Sequence, residues 1–165
     1  MPRYAEVTHA EWIAAPTETV QSQFADLRHH VDVNVHPKLR FEIYAQGPRT
    51  ARYAQEVRLL GMRQRDVFER EIAADGSITD TSVEGFNKGG AMTFRFVPEH
   101  RDGRSGTRVE AHIRLPMPAA LAWLRRLLEA QVRREVRAAF AEDRHDIEVR
   151  GYRPPAPTAS VRLAA

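Results

Sequence analysis

Asp66 and Arg70 stand in a segment whose alternate positions read Met62, Gln64, Asp66, Phe68, Arg70 and Ile72. In a strand these six share one face, because side chains alternate with a period of two. A carboxylate and a guanidinium on the apolar face of a sheet cost several kcal/mol unless each finds a partner. Paired with each other, Asp66 and Arg70 could orient a carbonyl or an enolate, or serve as acid and base. Tyr53 and Gln55 offer further polar groups on the preceding strand-like segment. The next segment repeats the pattern, with Asp80, Ser82 and Glu84 in register with Ile78 and Phe86. The alternative is a bulge that flips the register and turns these polar residues to solvent.

The seven histidines raise the question of a metal. His29-His30 with His36 is the one local cluster. Adjacent residues on a helix point in different directions, and no acidic pattern or cysteine completes a familiar ligand spacing. These side chains read as exposed or loop histidines, and neither a metal nor a cofactor is expected. His112 falls on the polar register of a strand and should face solvent. No phosphate-binding glycine loop, HExxH or GxSxG motif is present.

The bulk properties narrow the class. The 165 residues suit one domain with a core of ordinary size, expected over residues 1–152. With no cysteine, a disulfide framework, a thiol nucleophile and a cysteine-ligated metal are all excluded. Nothing at the N-terminus resembles a secretion signal, and no run approaches the roughly 20 apolar residues of a membrane helix. A cytoplasmic protein is expected. The net charge is +3, but the arginines alternate with acidic residues. Arg125, Arg126, Arg133 and Arg137 read as the solvated face of a helix, so no nucleic-acid partner is expected.

Positioning falls to a run of strands and one helix. Arg3–Ala14 alternates as a strand. Pro16, Thr17 and Glu18 start a short helix carrying Val20, Phe24 and Leu27. Asp26 to Asn34 is a second short helix or a loop, and Pro37 then forces extended chain. From Leu39 the period is two through strands ending near Tyr44, Leu60, Ile72, Phe86, Pro98 and Leu115, with His100 to Gly106 read as a loop. Ala119 to about Asp146 lacks Gly and Pro and carries an apolar stripe, which makes a helix of about seven turns. The tail over 153–165 is proline-rich and expected to be disordered.

This order gives an α+β fold: a curved antiparallel sheet of six or seven strands around one long C-terminal helix, with two short helices after strand one. Alternation turns Phe41, Ile43, Phe68 and Phe86 toward that helix, together with Met92, Phe94, Phe96, Ala111 and Ile113. The helix contributes Leu124 and Leu128, and Gln131 as a polar contact on its stripe. Trp123, outside that stripe, leaves room for a contact with a second copy.

Over Tyr4 to Tyr152 the chain resembles the helix-grip (START/SRPBCC) superfamily, which includes the polyketide cyclase/dehydrase and coenzyme Q-binding families. The resemblance rests on the element order, on Ala15 to Leu27 (APTETVQSQFADL), on His36-Pro37, and on Gly106 to Ile113 (GTRVEAHI). Where that family carries a tryptophan before the His-Pro, this chain has His29-His30. The resemblance implies a cavity between sheet and helix holding a hydrophobic small molecule such as a lipid, a quinone or an aromatic polyketide. It also permits an enzyme that folds a poly-β-ketone chain for aldol cyclisation. It carries over no catalytic residue, and the candidates for that chemistry, Arg70, Asp66 and Tyr53, come from the strand registers alone.

Overall fold

The computed structural model describes residues 3–155. Seven strands form one antiparallel sheet: β1 (Arg3–Ile13), β2 (Arg40–Gln46), β3 (Thr50–Leu59), β4 (Met62–Ile72), β5 (Ile78–Gly85), β6 (Ala91–Arg101) and β7 (Arg104–Met117). Their order is β1-β7-β6-β5-β4-β3-β2, a meander whose first strand returns to pair with the last. Two short helices, α1 (Thr17–Ala25) and α2 (Leu27–Asp32), follow β1. A 3₁₀ turn over Ala119–Leu124 leads into α3 (Arg125–Glu148). Among the described residues no helix is long and apolar enough to cross a membrane.

Local chemistry accounts for the junctions. Asp26 ends α1 and caps α2, its carboxylate accepting the His29 N–H at 3.0 Å. Two hairpins turn on residue pairs with positive φ, Leu60-Gly61 (50° and 74°) and Asp102-Gly103 (50° and 73°). Both angles suit the two-residue turn that matches strand twist. The second corrects the loop expected over His100 to Gly106, since Arg101 pairs directly with Arg104. The preceding strand consequently runs through Pro98. Proline is tolerated there because β5 pairs with β6 only from Ala91 to Phe94, so one edge beside Pro98 is free.

The core has three parts. Phe140 of α3 packs with Phe24, Ile78, Val109 and Ala111 under α1. Val132 meets Val7, Leu59 and Ile113. Leu27, Ala51, Tyr53 and Phe68 pack at the α2 end. Residues 156–165 of the proline-rich tail lie outside the described residues. Just before them, Tyr152 is buried against α1 and α2, its hydroxyl donating to Asp26 Oδ2 at 3.2 Å and lying 3.1 Å from Ser22 Oγ.

Candidate functional site

A cavity of about 170 Å³ lies between the sheet and α3, with α1 and α2 at one end. Phe41, Phe68, Met92, Phe94 and Ile113 line it, as alternation predicts. Val132, Val136, Ala139 and Phe140 supply the α3 wall, and Phe24 and Leu27 the end near the short helices.

Seven expected lining residues do not reach the cavity. Phe86 is 62% exposed. Opposite Val67 and Phe68 stand Glu84 and Ser82, so Val83 is an extra residue in β5. This bulge turns Glu84 and Phe86 outward while Asp80 and Ser82 stay in. Ile43 packs behind the cavity against the Leu27–Tyr53 cluster. Phe96 and Ala111 are core beneath α1, with Phe96 edge-on to Phe24 at 5.4 Å. Leu124 belongs to the 3₁₀ turn, and Leu128 packs against the Val7–Leu59 cluster. The cavity-facing stripe of α3 begins one turn later, at Val132. Gln131 serves the fold: its Oε1 accepts the N–H of Leu60 at 2.7 Å, bracing the first positive-φ hairpin.

Three polar constellations do line the cavity. In the first, Arg70 closes on Asp80 of the neighbouring strand rather than on Asp66. Its Nε donates to Asp80 Oδ1 at 2.7 Å, Nη2 to Oδ2 at 2.8 Å, and Nη1 to the Phe24 carbonyl at 2.9 Å. Burial opposes the charge on Arg70, but Asp80 outweighs it and holds the pKa above its ordinary value. The guanidinium lies over the ring of Tyr53, 5.3 Å from its centroid. Burial, then Asp80, pushes the Tyr53 phenol well above its usual range, so Tyr53 is a neutral donor and a poor base.

Asp66 anchors the second. It accepts the Asn87 N–H at 2.6 Å on Oδ1 and the Asn87 amide at 2.7 Å on Oδ2; that amide also donates to Gln64 at 3.1 Å. Gly85 makes this possible. Its φ is +108°, and a Cβ there would sit 2.7 Å from Asp66 Oδ1 and collide with the Arg65 carbonyl. Gly85→Ala is expected to cost at least about 1–3 kcal/mol from backbone strain. Urea unfolding measures this; an unchanged midpoint would show that the turn is not constrained as described.

The third was not foreseen. His30 and His36, expected at the surface or in a loop, are 7% and 6% exposed. Both point at Asp143 of α3, whose Oδ1 lies 3.2 Å from His30 Nε2 and 3.3 Å from His36 Nε2. His30 Nδ1 is 2.7 Å from the Asp26 carbonyl, and His36 Nδ1 is 2.8 Å from Glu142 Oε2. Burial would lower the pKa of His36, but Asp143 and Glu142 together raise it to about 9. Burial likewise opposes the Asp143 charge, yet His36 and His30 hold its carboxyl below the usual range. Buried Gln23 donates to Asp143 and Asp146 at 3.1 Å each, and His29 lies 2.8 Å from Asp146. A sequence signal did exist: Asp143 shares the α3 stripe with Phe140 and Ile147, three and four residues away. His112 is exposed on the outer face, as its register predicts.

No protein-family model and no curated relative matches the sequence. Solved structures do. TTHA0849 from Thermus thermophilus has a TM-score of 0.74 at 19% identity, over 89% of this chain and 99% of that one. The Zhui aromatase/cyclase from Streptomyces sp. R1128 has a TM-score of 0.67 at 20% identity, over 90% and 99%. A START superfamily protein from Mycobacterium smegmatis has a TM-score of 0.65 at 16% identity, over 82% and 93%. These likenesses are likenesses of architecture, and with the seven-stranded sheet gripping α3 they establish that the chain has the helix-grip fold of the START/SRPBCC proteins.

Proposed function

We propose that the chain binds a small, largely apolar molecule in the cavity between sheet and α3, with the polar end of that molecule turned toward the Arg70–Asp80 and Asp66–Asn87 wall. The supporting observation is the cavity itself: aromatic and aliphatic walls with a few fixed polar groups, the usual composition of a small-molecule site. Its volume of about 170 Å³ limits the occupant. Engineered cavities of about 150 Å³ take benzene, whereas drug-sized ligands occupy about 300 Å³ or more. A single-ring phenol or quinone fits; a polycycle or a long acyl chain requires α2 or α3 to move.

The second reading is an enzyme that folds a poly-β-ketone chain for aldol cyclisation. It draws on the fold shared with the Zhui aromatase/cyclase and on a buried arginine beside the cavity. Arg70 already has Asp80 as its counter-ion and Tyr53 is held neutral, which weakens the reading against plain binding.

The test is a thermal-shift panel of single-ring phenols and quinones, fatty acids and aromatic polyketides, with native mass spectra of the protein as purified. Ring-sized compounds should raise the midpoint, by the equivalent of about 2.7 kcal/mol at a hundredfold excess over Kd. Turnover of a polyketide by the wild-type protein would favour the cyclase. If no compound binds, the cavity is only a packing defect and the reading fails.

A further inference from the structure

We infer that His30, His36 and Asp143 are a binding site for one divalent transition-metal ion on the α3 wall of the cavity. One ligand atom from each lies within 4.8 Å of the others, and all three residues are buried. The two separations from Asp143 suit an ion held between the three residues. With metal–ligand bonds of about 2.0–2.1 Å, ligand atoms around a tetrahedral ion lie roughly 3.3–3.4 Å apart and adjacent octahedral ligands about 2.9 Å. Asp143 Oδ1 lies 3.2 Å from His30 Nε2 and 3.3 Å from His36 Nε2.

The outer shell points the same way. A metal-bound histidine donates its other ring N–H to a carbonyl or a carboxylate, which fixes the tautomer and the ring plane. His30 Nδ1 meets the Asp26 carbonyl and His36 Nδ1 meets Glu142 Oε2. An arriving ion would displace the Nε2 protons; with both Nδ1 atoms still donating, both Nε2 lone pairs would then face it beside Asp143. Two nitrogen lone pairs and a carboxylate oxygen converging on one spot are the donor set of a cation. Gln23 orients the carboxylate by donating to Asp143 Oδ1. The rival arrangement is a pure ion-pair cluster, with both rings doubly protonated around Asp143.

The donors select the ion. Two imidazoles and one carboxylate suit Zn²⁺ or Fe²⁺ rather than Mg²⁺ or Ca²⁺, which favour all-oxygen shells. Three protein ligands leave coordination positions open, as in sites that bind a substrate oxygen. All three ligands line the cavity. The metal assignment rests on this cluster alone. Only its use, polarising a carbonyl or phenolate oxygen of the occupant, depends on the cavity reading above.

The test uses the full chain stripped with chelator and titrated with Co²⁺ and Zn²⁺ in the absence of any organic ligand. The expected result is one Co²⁺ per chain with d–d absorption bands, displaced by Zn²⁺, and a higher thermal midpoint. Asp143→Asn should weaken binding at least ~100-fold, and Glu142→Gln about 10–100-fold through the outer shell. Glu142 is 30% exposed at its side chain, so its variant tests the site with little risk to folding. Cooperative melting of the metal-free variants confirms that they fold. Absence of stoichiometric Co²⁺ binding in folded wild-type protein would overturn the assignment, as would binding that neither variant weakens. Ligand-panel results on the metal-free protein bear on the cavity reading alone, so the two can fail separately.

Discussion

Arg70→Met is expected to destabilise the protein by about 3–5 kcal/mol, because it leaves the Asp80 carboxylate buried without its counter-ion. Asp80 is fully buried, and its two oxygens take the Nε and Nη2 donors of Arg70. The same substitution frees the Phe24 carbonyl at the end of α1 and removes the cation over Tyr53. The informative partner is the double variant Arg70→Met/Asp80→Leu. Replacing both members of a buried pair with apolar residues of similar size is often neutral, so the double variant should recover most of the loss. Chemical denaturation of the four proteins completes the cycle. If the single variant costs under 1 kcal/mol, Asp80 has water or another partner and the pair does not fix this wall. If the double variant is as unstable as the single one, the geometry at the Phe24 carbonyl matters more than the charge.

This pair also marks the limit of what the sequence could tell. Alternation put Asp66, Arg70, Asp80, Ser82 and Glu84 in register with the apolar face, with a bulge that exposes them as the alternative; the first four line the cavity and Glu84 does not. Alternation gives the face but not the neighbour. On one strand Asp66 and Arg70 looked like natural partners, yet the β4–β5 register sets Arg70 opposite Asp80, and the turn at Gly85 brings Asn87 to Asp66. A one-residue bulge at Val83 then decides which later residues stay inside, and nothing in the apolar pattern announces it. Phe86 looked like cavity wall for this reason and proved to be surface.

The histidine cluster was hidden differently. Its members come from α2, from the segment before Pro37, and from a helix more than a hundred residues on. Adjacent histidines were expected to point apart, and they do: His29 toward Asp146, His30 toward Asp143. What spacing could not supply was the docking of α3 that brings those two aspartates, one turn apart, under α2. The long helix itself was legible because an apolar stripe free of Gly and Pro has few other uses. Where along that stripe the cavity begins was not, since Leu124, Leu128 and Val132 differ only in what lies opposite them.

Phe140→Ala is the other substitution with a large expected effect, about 3–5 kcal/mol for removing a buried phenylalanine. Phe140 is 2% exposed and joins the elements that form the cavity. Its ring meets His9 edge-on at 5.0 Å, Phe24 at 5.6 Å and Phe94 at 6.4 Å, linking α3 to β1, α1 and β6. Because Phe140 also lines the cavity, its removal enlarges an existing space as well as opening a void. An apolar cavity of that kind takes up small aromatic molecules. Benzene or indole should therefore raise the melting temperature of Phe140→Ala by more than that of the wild type, recovering part of the lost stability by mass action. A variant that loses about 3–5 kcal/mol and responds to neither compound would mean that the neighbouring side chains collapse into the gap, and the walls would then be too soft to hold a ligand in one orientation. A loss below about 1 kcal/mol would mean that α3 is held mainly by the polar contacts of Asp143 and Asp146, with the aromatic cluster contributing little.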